Sequence, residues 1–203
     1  MKKVILITGK AQSGKSTAAG FLQNFINSYY PQYSVREYFF AEKLKNFLID
    51  VIGLDYTQCY GTNEQKDQPT KILWESFSKD IRKDKTGFMS GRQVMQIFGT
   101  EICRKLNPNC WVESCMRDII NSSHQEIAIV SDVRFPNELE KLSILNPVII
   151  RLTRNILDMQ NESEIALDNF DFNQYNNFYL IDNTSLSIEE KNKQIKEVII
   201  KYL

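Results

Sequence analysis

The sequence predicts an α/β fold: three layers, α/β/α, around a five-stranded parallel sheet. Three observations carry that expectation. Five short apolar runs have the β-rich composition of strands buried on both faces: residues 3–8 (KVILIT), 36–40 (REYFF), 127–131 (IAIVS), 147–152 (PVIIRL) and 178–182 (FYLID). Helical patterns lie between these runs, and strands alternating with helices imply a parallel sheet covered on both sides. The first run leads directly into a glycine loop, Gly9 to Ser16 (GKAQSGKS), and then into a helical pattern.

That loop matches G-x-x-x-x-G-K-[ST] at every fixed position. Its glycines let the backbone turn tightly enough to aim successive N–H groups at an anion. In such a loop Lys15 reaches the β- and γ-phosphates of a nucleoside triphosphate, and the Ser16 hydroxyl ligates Mg²⁺. The candidate ATP-binding residues are therefore Gly9, Ala11, Ser13, Gly14, Lys15, Ser16 and Thr17. Beyond the loop, Ala18, Phe21, Leu22, Phe25, Ile26 and Tyr29 follow helical spacing. The helix start then lies under the phosphates, where free N–H groups and the macrodipole favour negative charge.

After the second strand, Leu44, Phe47, Leu48 and Val51 make an apolar stripe. Residues 53–90 are polar, include the charge-dense run Lys79 to Lys85 and lack a strand signal. They predict a helical or loop insertion over the sheet's edge. In 90–104 (SGRQVMQIFGTEICR), Ser90 and Gln93 form a capping box. Val94, Ile97, Phe98 and Ile102 form the apolar stripe of that helix, and Arg92, Gln96, Gly99, Thr100 and Arg104 the polar one. Glycine inside a helix costs ~1 kcal/mol relative to alanine. Gly99 is thus either neutral or a place of close packing. Two arginines, amides and a gap on one face suit an anionic, planar molecule.

Asp132 ends the apolar strand IAIVSD, at the edge where ligands bind in open α/β sheets. It would hold Mg²⁺ or its water, or else bind the acceptor. Arg134 follows two positions later and points over the same edge, with a fixed donor fork suited to phosphate. Pro136 suits a helix start, and Asn137 and Glu138 fall in its first turn. Residues 153–177 form a second polar, Asn-rich excursion. Ser187 and Glu190 cap a last helix carrying Ile195, Val198, Ile199 and Tyr202.

With 203 residues, 42% hydrophobic, the chain suits a single domain over 1–203 that buries a sizeable core. Lys plus Arg (25) equals Asp plus Glu (25), so there is no global basic field, which argues against a protein held on nucleic acid mainly by phosphate neutralisation. Cys59, Cys103, Cys110 and Cys115 make no C-x-x-C pair, and His124 is the single histidine, so no zinc site is expected. Reduced thiols suit a cytoplasmic protein. The apolar run after Lys2-Lys3 is too short for a signal peptide, and no stretch approaches transmembrane length.

Two segments taken together carry a family resemblance: RQVMQIFGTEICRKLNPNCW and IVSDVRFPNELE. The first holds an R-x-x-x-Q-x-x-G-T-x-x-x-R helix followed by tryptophan, the second a D-V-R-F-x-N-E strand end. Phe40-Ala41 with Leu44 and Lys45 fits F-A-x-x-L-K, Ser163 to Asp168 fit S-E-x-x-L-D, and Asp182-Asn183 end an I-D-N strand. With the phosphate loop, this order resembles the bacteriophage deoxynucleoside monophosphate kinases over most of the chain. The family's histidine before the S-E pair is replaced here by the neighbourhood of Asn161 and Glu162, and 53–90 matches none of its segments.

The resemblance implies a phosphate-loop nucleoside monophosphate kinase fold, with 53–90 on the acceptor side and 153–177 as lid. It implies transfer of the ATP γ-phosphoryl group to a deoxynucleoside 5′-monophosphate, supplying precursors for DNA synthesis, with Mg²⁺ as cofactor. Arg92, Arg104 and Arg134 then serve the acceptor phosphate and the transition-state charge. Gln96 and Thr100 touch its sugar or base, and Phe40 and Lys45 join the acceptor residues. Arg151 or Arg154 closes over the γ-phosphate, Arg151 counted with the ATP residues and Arg154 with the catalytic ones. The partners are small nucleotides, without stable nucleic acid or membrane binding, and the family includes homodimers. Two other readings share the loop: a kinase resembling dephospho-coenzyme A kinase, and a switch or motor ATPase.

Overall fold

A computed structural model describes residues 2–155 and 165–203. The chain divides into two compact units, Met1–Phe39 with Cys115–Leu203, and Phe40–Ser114. Among the described residues the strands are β1 (Lys3–Thr8), β2 (Ser34–Tyr38), β3 (Pro69–Leu73), β4 (Phe88–Ser90), β5 (Glu126–Val133), β6 (Val148–Leu152) and β7 (Phe178–Ile181).

The first unit holds a five-stranded sheet in the order β2-β5-β1-β6-β7. Every neighbouring pair is parallel, as the alternation of strands and helices predicts. In register, Ile5 sits beside Ile129 and Val148, and Ile7 beside Ile150. This row packs with Ala18, Leu22, Phe25 and Ile26 of helix Lys15–Tyr29, and with Ile195 and Ile199 of helix Ile188–Ile200. Successive strand residues face opposite sides. Val4, Leu6, Ala128, Val130 and Ile149 therefore face the other way, and they too are at most 1% exposed. Ile119, Leu139 and Leu142, on helices Cys110–Asn121 and Pro136–Ser143, are fully buried. Both faces of the sheet are covered, giving three layers.

One strand lies earlier than its composition predicts. β2 pairs Ser34–Tyr38 with Glu126–Val130, and Phe40 already opens a helix, Phe40–Phe47. A short aromatic run does not distinguish the end of a strand from the start of a buried helix.

The second unit has its own core of Leu44, Leu48, Leu54, Trp74, Met89, Val94 and Ile97. The stretch 53–90, expected as helix and loop, also contains the antiparallel pair β3–β4, with Pro69 opposite Ser90 and Leu73 opposite Phe88. Its strands are short, and β3 buries Thr70 rather than an apolar residue, so composition hid it. The Thr70 hydroxyl donates to the Met89 carbonyl at 2.9 Å. Two helices of this unit widen into π segments, Leu48–Ile52 and Ile97–Arg104.

Candidate active site

The glycine loop has the geometry of an anion cradle. Gly9 has φ +145° and Gly14 φ +97°, a region L side chains rarely adopt. A Cβ on Gly9 would lie 2.7 Å from both the Leu152 carbonyl oxygen and Ser13 Oγ, so a side chain there has no room. Helix Lys15–Tyr29 starts without a side-chain cap and without an acid in its first turn. A helix start of that kind favours an anion, through its leading N–H groups and the helix dipole. Ser16 and Thr17 are exposed in that turn. The Lys15 ammonium folds back and donates to the carbonyls of Gly9 (2.6 Å) and Lys10 (2.7 Å).

The loop is also held from the other side. Asn183, just after β7 and 2% exposed, donates from Nδ2 to the Ser13 carbonyl at 2.8 Å. Its Oδ1 accepts the Arg154 backbone N–H at 2.9 Å. Lys191 donates from Nζ to the Gly14 carbonyl at 3.3 Å. The Arg154 guanidinium donates to the Leu186 carbonyl at 3.0 Å.

Asp132 and Arg134 lie at the carboxyl end of β5, beside the loop that follows β1. The Thr8 hydroxyl ties the two strand ends by donating to the Val133 carbonyl at 3.1 Å. The Ser131 hydroxyl donates to the Glu37 carboxylate. The turn carrying Arg134 is fixed by Glu138, whose carboxylate, 3% exposed, accepts the N–H groups of Arg134 (2.8 Å) and Phe135 (3.1 Å). Pro136 is the first residue of the helix, where its missing N–H costs nothing.

A cavity of about 140 Å³ opens here, lined by Gly9, Lys10, Arg134, Arg151 and Asp168 among others. It is smaller than the ~300 Å³ at which whole-ligand pockets begin, so it suits a phosphoryl group better than a nucleotide. Its lining carries the cations Lys10, Arg134 and Arg151 and the carboxylate of Asp168. Asp168 pairs with Lys10 (3.1 Å) and Arg151 (3.5 Å), and Arg151 donates to the Leu167 carbonyl at 2.6 Å. Burial lowers the Arg151 pKa and Asp168 opposes that shift.

The remaining expected site residues belong to the second unit. On its long helix, Arg92, Gln96 and Thr100 are exposed and Arg104 half-buried. Four residues overshoot one α-helical turn by ~40°. The wider π turns from Ile97 to Arg104 fall short of it, so the two drifts act in opposite directions along this helix. Arg92 is engaged, with Nε donating to Asp67 (2.7 Å) and Nη2 to Asn63 (3.0 Å). The gap expected at Gly99 is filled: a Cβ there would come 2.9 Å from Leu44 Cδ2. Trp111 donates from its indole N–H to the Gly99 carbonyl at 3.1 Å. Phe40 is 5% exposed, and the Lys45 ammonium lies over the Tyr60 ring, 4.4 Å from its centroid.

Residues 156–164 lie outside the described residues, and with them Asn161, Glu162, Ser163, Glu164 and part of the expected lid 153–177. Sequence reasoning missed Lys10, Glu138 and Lys191 as working parts. Two of them had readable signals: Glu138 stands at the capping position three residues after Phe135, and Lys191 in the register of Ile195 and Ile199 on the apolar stripe of its helix. Among the described residues no helix is long and apolar enough to cross a membrane.

The family model for deoxynucleotide monophosphate kinase matches residues 52–195. The chain is 24% identical to a deoxynucleoside-5′-monophosphate kinase of Escherichia phage T5, over 72% of this chain and 74% of that protein. It is 27% identical to a putative deoxynucleotide monophosphate kinase of Acanthamoeba polyphaga mimivirus, over 81% of each. These matches do not favour the dephospho-coenzyme A kinase or motor ATPase readings. A phosphate-type loop, a cationic sheet edge and a family match over well over half its length agree: the chain belongs to the deoxynucleotide monophosphate kinase family.

Proposed function

We propose that this kinase takes ATP with Mg²⁺ as donor and passes the γ-phosphoryl group to the 5′-phosphate of a deoxynucleoside monophosphate. An acceptor phosphate oxygen forms a bond to Pγ. The bond from Pγ to the β–γ bridging oxygen breaks, and its electron pair leaves with ADP. The observation that carries this reading is the uncapped, glycine-turned loop with Lys15 at its centre.

Gly9, Ala11, Ser13, Gly14 and Thr17 shape the loop that receives the donor's phosphates. Lys15 exchanges its two carbonyl partners for the β- and γ-phosphate oxygens. The exposed Ser16 hydroxyl and the Asp132 carboxylate are oxygen donors of the kind Mg²⁺ takes, with phosphates and water completing its shell. A metal ion held by these two residues would offset the negative charge that develops on the transferred group.

Two phosphates repel unless cations lie between them. Arg134 and Arg151 supply that charge at the sheet edge, and Arg154 aids closure over the γ-phosphate. We assign acceptor binding to the unit Phe40–Ser114, through Arg92, Gln96, Thr100 and Arg104 with Phe40 and Lys45, and lid closure to 153–177. Closure would exclude water as a competing acceptor. The four cysteines as thiols suit work in a reducing cytoplasm.

The test is ADP formation from ATP with and without each natural deoxynucleoside monophosphate. Acceptor-dependent ADP formation is expected, and Lys15→Ala should abolish it while leaving the circular dichroism spectrum unchanged. Equal ADP formation with and without every acceptor would overturn the reading.

A further inference from the structure

Lys191 departs from the pattern of its helix. Helix Ile188–Ile200 turns Ile195 and Ile199 fully into the core. Lys191 is one turn earlier on the same stripe and is 3% exposed. A buried ammonium is costly unless it is paired. Among the described residues no carboxylate pairs with it, and its hydrogen-bond partner is the Gly14 carbonyl. Burial lowers its pKa and the nearby Arg154 lowers it further. Gly14 is the residue whose left-handed conformation turns the loop into the helix, and a Cβ there would lie 3.3 Å from the Lys191 ammonium.

Asn183 acts on the preceding residue. It binds the Ser13 carbonyl and, through Oδ1, the Arg154 N–H. The carbonyls of Ser13 and Gly14 are thus both held by side chains from the end of the chain. A peptide whose C=O is held on one side presents its N–H toward the other. The side left to those N–H groups is where a triphosphate would lie.

We propose that Lys191 and Asn183 are positioning residues for the donor: they fix the phosphate loop, and Lys191 adds a buried positive charge that the phosphates of ATP complete. This rests on the donor assignment above. It identifies a core lysine, outside the loop motif, as a determinant of ATP affinity rather than of stability alone.

The experiment is steady-state kinetics on Lys191→Met, Lys191→Gln and Asn183→Ala, using the natural deoxynucleoside monophosphate that the wild type accepts best. ATP is varied at saturating acceptor, then acceptor at saturating ATP. Lys191→Met should raise the KM for ATP at least about tenfold, the size of one charge-assisted hydrogen bond. The acceptor KM should stay within about twofold, the mark of a lesion confined to the donor. Lys191→Gln keeps a donor for the Gly14 carbonyl but not the charge, and should still raise the ATP KM. Asn183→Ala should raise it less, since no charge is lost. An unchanged ATP KM in the folded variants, with only a lower melting temperature or a smaller active fraction, overturns the inference. Should neither Lys191 variant fold, Asn183→Ala decides on the same readout. Absence of acceptor-dependent ADP formation in the wild type would instead overturn the donor assignment.

Discussion

Glu138→Ala tests how the sheet edge is held. Glu138 is 3% exposed, and its carboxylate accepts two backbone N–H groups, from Arg134 at 2.8 Å and Phe135 at 3.1 Å. Alanine removes both acceptors. Losing a capping interaction costs about 1 kcal/mol, and leaving a buried donor unpaired costs about 1–3 kcal/mol. The expected destabilisation is therefore about 2–4 kcal/mol. With a urea slope of about 3 kcal/mol/M, that is a midpoint shift of about 1 M. Urea unfolding followed by circular dichroism measures it, compared at constant slope. Glu138→Gln keeps one acceptor oxygen at the same reach, and glutamine serves the same capping position. It should lose less than half as much. Arg134 hangs from this turn, so the alanine variant should also lose kcat/KM for the acceptor. An alanine variant within about 0.5 kcal/mol of wild type, the range of ordinary surface substitutions, would refute the reasoning.

Two further outcomes follow from single contacts. Trp111→Phe deletes the indole N–H that holds the carbonyl of Gly99, a buried residue of the π segment, and should cost about 1–3 kcal/mol by urea unfolding. A smaller loss would mean that the carbonyl finds another donor. Tyr38 is buried and donates to Glu126, and these two causes, burial first, push its pKa up to about 12 from 10.0. The folded state therefore holds this proton more tightly than the unfolded chain. The resulting stability is complete below pH 10 and is lost as pH rises from 10.0 toward about 12. Tyr38→Phe should remove that part of the alkaline loss, and the wild-type minus variant tyrosinate absorbance should rise only above pH 10. A difference signal already present near pH 9 would contradict the buried pairing.

The sequence alone determined what short-range chemistry encodes. The loop Gly9 to Ser16, the capping boxes at Ser90/Gln93 and Ser187/Glu190, and the helix start at Pro136 all appear where spacing predicts them. So do the five parallel strands, with β2 displaced by two residues. The loop, the caps and the composition of each strand depend on groups a few positions apart, so there a pattern in the chain is a pattern in space; the order in which the strands pair is not local. The tertiary structure alone decided the contacts that join distant residues. Asn183 and Lys191 grip carbonyls 170 and 177 residues away. Leu44 fills the space at Gly99, and Asp67 with Asn63 engages Arg92. The β3–β4 pair forms from strands with little apolar alternation. No local propensity marks such contacts, because their free energy comes from partners that only folding brings within reach. A lysine among isoleucines hints at a buried charge, but only the folded chain shows that the charge sits under the phosphate loop.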